Sequence, residues 1–345
     1  ELVAAALSSD PERSRITGQG IGVAQDRCYP SGQALIDAEA KRPDGAEVVA
    51  IMTPNDSHYQ FAMQALERGL DVICDKPMTN TLAEAEALHA RVQATGLVFC
   101  LTHNYTGYPM VRQAKAMVMA GELGDVRLVQ VEYVQGGRAK AGPGRRAWKE
   151  DPARGGPSLV LGDIGTHAHN LLRFITGLEV AQVAAEVGSI VPDRTTHDYA
   201  GAMLRMANGA RGSFWVTQAA AGVENGLRIR VCGSKGSLEW HQEHPQVLQF
   251  KPLDAPAQVR TPNGPGTLPL AARASRIVAG RPEGFHEAFA NLYTDASDAI
   301  AARRSGQSAD PLSLHFPNAT DGLQGIRFVA AAVASSHQQG AWTSL

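Results

Sequence analysis

AEVVAIMTPNDSHYQFAMQALERGLDVICDKP, residues 46–77, is the stretch whose reading decides the fold. It opens on a continuous apolar run with β-branched residues (46–54), passes a short polar turn, and continues in SHYQFAMQALERG (57–69) with apolar residues at helical spacing. LDVICDKP (70–77) then returns to an apolar run. A continuous apolar run is what a strand buried on both faces requires, and an intervening helix is the crossover that joins parallel strands. The rhythm extends outward in both directions. TLAEAEALHARVQATG (81–96) reads as a helix and LVFCLTHNY (97–105) as a further strand. Upstream, ELVAAAL (1–7) reads as a buried strand, and Asp10 before Pro11 is an N-cap and first-position pair that starts a helix in SDPERSRIT. Strands alternating with helices argue for a parallel, doubly wound sheet, which binds ligands outside the C-terminal ends of its strands.

Past about residue 125 the pattern changes. DVRLVQVEYV, VAQVAAEVGSIV, YAGAMLRMA, ARGSFWVTQ, LRIRVCGS and GSLEWHQ are strand-like and separated by Gly-containing turns, as in an antiparallel sheet. One strong helix, roughly Asp163 to Thr176, lies between the first two, and two more helical patterns follow Phe285. The division between the two parts falls near residue 106, giving 1–105 and 106–345, and 345 residues suit two domains. Lys and Arg number 32 against 34 Asp and Glu, for a net charge of -2, so the broad positive field of a nucleic-acid binder is absent. Cys28, Cys74, Cys100 and Cys232 stand far apart without a CxxC pair, which suits a reducing cytoplasm and no metal site. No apolar stretch approaches the roughly 20 residues that span a bilayer.

Three short segments can carry chemistry. TPNDSH (53–58) ends a core strand, where Thr, Asn and His can hydrogen-bond a nucleotide; Ser57 capping the next helix is the simpler alternative. Asp75-Lys76-Pro77 ends the next strand; a Lys there is often a solvated tip, but a following Pro fixes the chain direction and can aim the preceding side chain. Gly162-Asp163-Ile164-Gly165-Thr166-His167 opens the strong helix with Asp163 and His167 four apart on one face. A carboxylate beside an imidazole can orient it and raise its basicity, although a helix cap and a surface histidine is the plainer reading. His169 points away and reads as structural. The run Gly18-Gln19-Gly20-Ile21-Gly22 superficially resembles a dinucleotide glycine loop, but it follows a helix rather than a strand and reads as a helix end. The basic, Gly-rich segment 135–156 is either a solvated loop or a flap over the substrate mouth or onto a second subunit, anchored by Trp148.

TPNDSH, DKP (75–77), THNYTGYP (102–109), GDIGTHAHNL (162–171) and GSKGSLEW (233–240), set among these repeats, resemble the glucose-fructose oxidoreductase, inositol dehydrogenase and rhizopine-catabolism family, with Asp75 where that family has Glu. The resemblance implies an α/β Rossmann-like dinucleotide-binding domain followed by an α+β domain with a large, mostly antiparallel open sheet. It implies an NAD(P)-dependent dehydrogenase that oxidises a secondary hydroxyl of a sugar, inositol or glycoside. Lys76 and His167 would be the acid-base pair and Asp163 the orienting carboxylate. Thr53, Pro54, Asn55 and His58 would line the cofactor, with Asp75 and Asn104 near its ribose and nicotinamide and Tyr105 and Trp148 on the substrate wall. Two other readings share the fold: a redox-neutral sugar-modifying enzyme with tightly held NAD, and a non-catalytic cofactor-binding scaffold. The position after ELVAAAL chooses between cofactors in this family, and here it holds Ser8-Ser9, which carry no charge; NAD is expected somewhat ahead of NADP.

The resemblance aligns ELVAAAL with the family's second strand, so the family's first strand and glycine-rich loop are expected to lie upstream of Glu1. The first strand is central in a 3-2-1-4-5-6 sheet, and the native gene product is expected to extend upstream of Glu1 by roughly 30 residues. Without it, ELVAAAL should border a gap or have moved into the central position. In the second part, Phe214 and Trp215 in GSFWV face opposite sides of their strand, so both faces of the sheet need cover. Helices cover one, and a second copy of the chain is expected on the other, as a homodimer or homotetramer.

Overall fold

In the computed structural model, which describes residues 1–142 and 147–345, Asp10 accepts a hydrogen bond from the Arg13 N–H at 2.7 Å and opens α1 (Pro11–Gly20). The glycines from Gly18 to Gly22 end that helix, as the sequence indicates. Ser31 caps α2 (Gly32–Glu39). The deciding stretch forms β1 (Val48–Ile51), α3 (His58–Glu67) and β2 (Asp71–Cys74), followed by α4 (Leu82–Thr95) behind a Thr81–Glu84 capping box and by β3 (Phe99–Leu101). The pairs β1–β2 and β2–β3 are both parallel. All of β2 is buried, as expected of a central strand covered on both faces.

ELVAAAL forms less strand than its composition suggests. Only Ala5 pairs, in a parallel bridge to Cys28, with the Ala5 N–H donating to the Arg27 carbonyl and the Tyr29 N–H to the Ala5 carbonyl. Among the described residues no strand pairs with the other edge of β1, so the Ala5–Cys28 bridge and the β1–β3 sheet are not joined by backbone ladder.

After α5 (Pro109–Met119) come β4 (Val126–Val134), the short α6 (Pro152–Gly155) and a helix whose first turns, Leu161–Gly165, are π-helical before α7 (Thr166–Thr176). There follow β5 (Val180–Gly188), β6 (Tyr199–Met206), β7 (Arg211–Thr217), β8 (Gly226–Gly233), β9 (Gly236–His241), β10 (Leu248–Pro252), β11 (Gln258–Arg260), α8 (Pro269–Arg273), α9 (Phe285–Ser305), α10 (Ala319–His337) and β12 (Thr343–Ser344). Among the described residues these strands make one nine-stranded sheet, ordered β11-β10-β9-β8-β4-β7-β6-β5-β12. Every neighbouring pair is antiparallel except β4–β7. Phe214 is buried and Trp215 is 42% exposed, so β7 does show opposite environments on its two faces. Residues 143–146 of the basic segment lie outside the described residues. Among the described residues no helix is long and apolar enough to cross a membrane.

Packing crosses the division drawn at residue 105. Ala319, Leu323 and Ile326 of α10 join the core of β1–β3, while α10 also packs on β5 and α7. Leu292 and Ala296 of α9 bury Ile73 and Cys100, and Arg303 pairs with the buried Asp71 at 2.7 Å. The turn after β3, Asn104–Gly107, is pressed onto α9, where a Cβ added at Gly107 would lie 2.1 Å from the Ala288 carbonyl oxygen. Since neither backbone can yield cheaply, Gly107→Ala should cost about 1–3 kcal/mol of stability. Urea unfolding measures this, and an unchanged midpoint would contradict the close approach.

Candidate active site

The C-terminal ends of β2 and β3 point at the helix between β4 and β5, and the side chains singled out in the sequence meet there. The Lys76–Pro77 peptide bond is cis. Lys76 Nζ donates to the Asp163 backbone oxygen at 2.5 Å and to Asp163 Oδ1 at 3.1 Å, joining residues 87 positions apart. Two partners that sequence reasoning missed complete the grip on this carboxylate: Lys149 Nζ donates to Oδ1 at 2.7 Å and Gln218 Nε2 to Oδ2 at 2.9 Å. Burial alone would raise the Asp163 pKa, but the charges of Lys76 and Lys149 outweigh it and hold the carboxyl well below its usual range.

Among the described residues no hydrogen bond joins Asp163 to His167. The Asp163 oxygens are taken by two ammonium groups and an amide, and His167 instead places Nδ1 3.3 Å from Nδ1 of His103, in the turn after β3. The Tyr105 and Tyr133 rings stand edge-on to the His167 ring, at 4.9 and 6.2 Å between centroids. Tyr105 and Tyr133 share a hydroxyl contact of 2.5 Å, and both reach Asn225. Burial, then the charge of Lys76, pushes the His167 pKa well below its ordinary value, and the same two causes bring His103 down to about 3. Both rings are neutral near pH 7. His169 is buried and stacks on Phe328, with 4.6 Å between ring centroids.

The remaining sequence candidates divide. His58 is buried with Nδ1 2.8 Å from the Pro77 oxygen and Nε2 2.9 Å from the Thr53 oxygen, so both ring nitrogens face backbone carbonyls, to one of which the neutral ring donates. Thr53 is exposed beside the partly buried Pro54 and Asn55, and its hydroxyl accepts from Ser57 Oγ at 2.6 Å. Asp75 accepts from Thr102 Oγ1 at 2.6 Å, which locks the ends of β2 and β3. Ser8 Oγ serves the turn into α1, accepting from the Asp10 N–H at 3.1 Å, and Ser9 is exposed. Trp148 is partly buried, with Lys149 Nζ 5.7 Å from its ring centroid.

Asn104 is 2% exposed, and its Nδ2 has no hydrogen-bond partner among the described residues. A buried donor left unpaired costs stability, and the carboxamide or ribose of a nicotinamide nucleotide lying over the strand ends would satisfy it. The strand ends thus fit the nicotinamide half of such a cofactor. Gln218 Oε1 is a second buried atom without a partner, an acceptor beside Asp163. His103 and Gln218 lie at strand ends and were accessible to the positional rule; Lys149 had no such signal.

Fold and site together define a two-domain α/β protein whose reactive groups gather between parallel strand ends and a second sheet. A family model described as an oxidoreductase family with an NAD-binding Rossmann fold matches residues 1–114, and that of the GFO/IDH/MocA C-terminal domain matches residues 111–239. The chain belongs to this GFO/IDH/MocA oxidoreductase family. It is 34% identical over 348 residues to the uncharacterized oxidoreductase YfiI of Bacillus subtilis, covering 99% of this chain and 88% of that protein. An inositol dehydrogenase homolog from Azotobacter vinelandii, solved with NADH and myo-inositol, superposes with a TM-score of 0.91 at 36% identity, over 100% of this chain and 90% of that one. Levoglucosan dehydrogenase in complex with NADH and levoglucosan gives 0.80 at 25% identity, over 98% and 88%.

The neutral histidines set the pH response. His58, His103, His167 and His169 all have pKa values lowered first by burial, so the unfolded chain takes up protons that the fold resists. Their folded values lie below the unfolded value near 6.5, so stability should be fully present above that pH and fall as pH drops below it. Urea midpoints at pH 7.5, 6.5 and 5.5 test this; a flat series would contradict it.

Proposed function

We propose that the protein oxidises a secondary hydroxyl of a sugar, inositol or glycoside, with NAD favoured over NADP. The observation that carries this reading is the pairing of Lys76, from the end of β2, with Asp163, four residues before His167. The polyol ligands of the Azotobacter and levoglucosan structures support the substrate class. When bound, a nicotinamide nucleotide would supply the hydride acceptor. Asn104 Nδ2 would hold its carboxamide or ribose, and Thr53, Pro54, Asn55 and Asp75 would form the floor beneath it. His167 Nε2, which has no hydrogen-bond partner among the described residues, takes the hydroxyl proton. Lys76 donates to the hydroxyl oxygen and stabilises its developing negative charge, held in place by Asp163. Gln218 Oε1 and Tyr105 position neighbouring hydroxyls, with Trp148 at the mouth.

Lys76→Ala and His167→Ala should each lower turnover by roughly a hundredfold or more, with the affinity for NAD little changed in the His167 variant. Absorbance of NADH over a panel of inositols, hexoses, anhydrosugars and glycosides reads the activity, and calorimetry with NAD and NADP reads binding. Near-normal turnover in both variants would remove the mechanism, and failure of both nucleotides to bind would remove the dehydrogenase reading.

The exposed face of the nine-stranded sheet carries Leu128, Met203 and Trp215, each more than two-fifths exposed. We propose that a second copy of the chain covers it, since monomers seldom expose a wide apolar patch. Light scattering should give a dimer or tetramer, and Trp215→Glu should shift it toward monomer; a monomeric parent protein would contradict the assignment.

A further inference from the structure

We infer that His103 is a positioning residue for His167: its Nδ1 accepts a hydrogen bond from the Nδ1–H of His167 and so leaves the His167 lone pair on Nε2. The inference rests on the reading of His167 as the proton acceptor and supplies what that reading lacks, the group that decides which nitrogen is basic. The two Nδ1 atoms are 3.3 Å apart and the rings are nearly perpendicular, with 79° between their planes. A hydrogen bond between two imidazole nitrogens needs a proton on one and only one of them. Two neutral rings therefore have two arrangements. If His103 carries the proton, His167 is protonated on Nε2 and can only donate there. If His167 carries it, Nε2 is a lone pair.

Only the second arrangement survives the reaction. When the substrate hydroxyl gives its proton to His167 Nε2, the ring becomes an imidazolium with hydrogens on both nitrogens. Its Nδ1–H then still points at an acceptor, provided His103 is the Nε2–H tautomer. In the first arrangement protonation would bring two N–H groups face to face. His103 therefore remains a neutral acceptor throughout, and both rings stay in place.

The surroundings hold the pair there. His103 lies in the turn after β3, where its carbonyl accepts from Thr106 Oγ1 at 2.9 Å and from the Thr106 N–H at 3.1 Å. Both rings are buried, His103 at 2% and His167 at 8% exposure. Burial and the charge of Lys76 oppose protonation of both rings, and the charge of Arg173 opposes it at His103, while that of Asp163 favours it at His167. The carboxylate that could have taken this role, Asp163, is held by Lys76, Lys149 and Gln218. An uncharged acceptor orients the base without adding a negative charge beside the alkoxide that forms.

Nitrogen NMR of histidine-labelled protein reads the tautomers directly. In the parent protein His167 should be protonated on Nδ1 and His103 on Nε2; the reverse assignment would overturn the inference. His103→Phe should lower kcat by about ten- to a hundredfold, with KM within about twofold because substrate contacts are untouched, and should move His167 toward the Nε2–H form. His103→Asn can place an amide oxygen where Nδ1 stood and should recover most of kcat. Wild-type turnover in the Phe variant, or an Asn variant no better than Phe, would also overturn it. Near-normal turnover in His167→Ala would instead remove the proton-acceptor reading, and the NMR assignment would still decide the tautomer.

Discussion

The carboxylate of Asp163 is where the two halves of the molecule are held in register. Lys76 comes from the end of β2, Lys149 from the turn before α6, and Gln218 from the end of β7, so one side chain gathers three segments. Two ammonium groups and one amide thus converge on a single carboxylate. In a partly buried setting such a cluster is favourable only while every member is satisfied, because a buried charge that loses its partner costs several kcal/mol. The arrangement thus fixes Lys76 where an oxygen that gains negative charge must sit, and the π-helical turn Leu161–Gly165 presents both the carboxylate and the backbone oxygen of Asp163 to the same ammonium group. Wide turns of this kind inside helices occur frequently at functional sites.

Around this charged cluster the site is otherwise built of neutral groups. His103 and His167 are uncharged near pH 7, and burial pushes the Tyr133 phenol far above its ordinary pKa. The Tyr105–Tyr133–Asn225 chain runs beside the His167 ring and ends on Gln242 and Gln135. Fixed dipoles around such a cluster suit polyhydroxy ligands, which offer many hydrogen bonds and no charge of their own. Neutral groups are also strengthened by the low dielectric around them, so their fixed orientation matters more than their number.

The elements were legible where local chemistry decides them. Asp10-Pro11, the helical spacing at 81–96 and the apolar runs at 46–54, 70–77 and 97–105 locate helices and strands because caps and burial act within a few residues. ELVAAAL misled for the same reason: composition describes what a segment can bury, while a strand exists only where a partner pairs, and here only Ala5 finds one. The site followed a similar line. Spacing put Asp163 and His167 on one helix face and suggested a pair, but which side chain contacts which is settled by elements far away in sequence. Lys149 and Gln218 took the carboxylate, His103 took the imidazole, and His58, read as a ligand group, faces two backbone carbonyls.

The return of the chain's last third to its first has a consequence for how this protein can be cut and recombined. The Leu101 N–H donates to the Pro317 carbonyl at 2.8 Å, α10 supplies apolar side chains to the core of β1–β3, and Arg303 neutralises Asp71 inside it. The nucleotide-fold half is consequently not a contiguous cassette. Lifting residues 1–105 into another scaffold would carry away an open core and a buried, unpaired carboxylate, whereas a transplant that also took residues 285–337 would keep its own floor. Exchange between relatives should therefore conserve the two ends of the chain as one inherited unit, and leave the middle, with β5 to β11, as the part free to diverge in what it recognises.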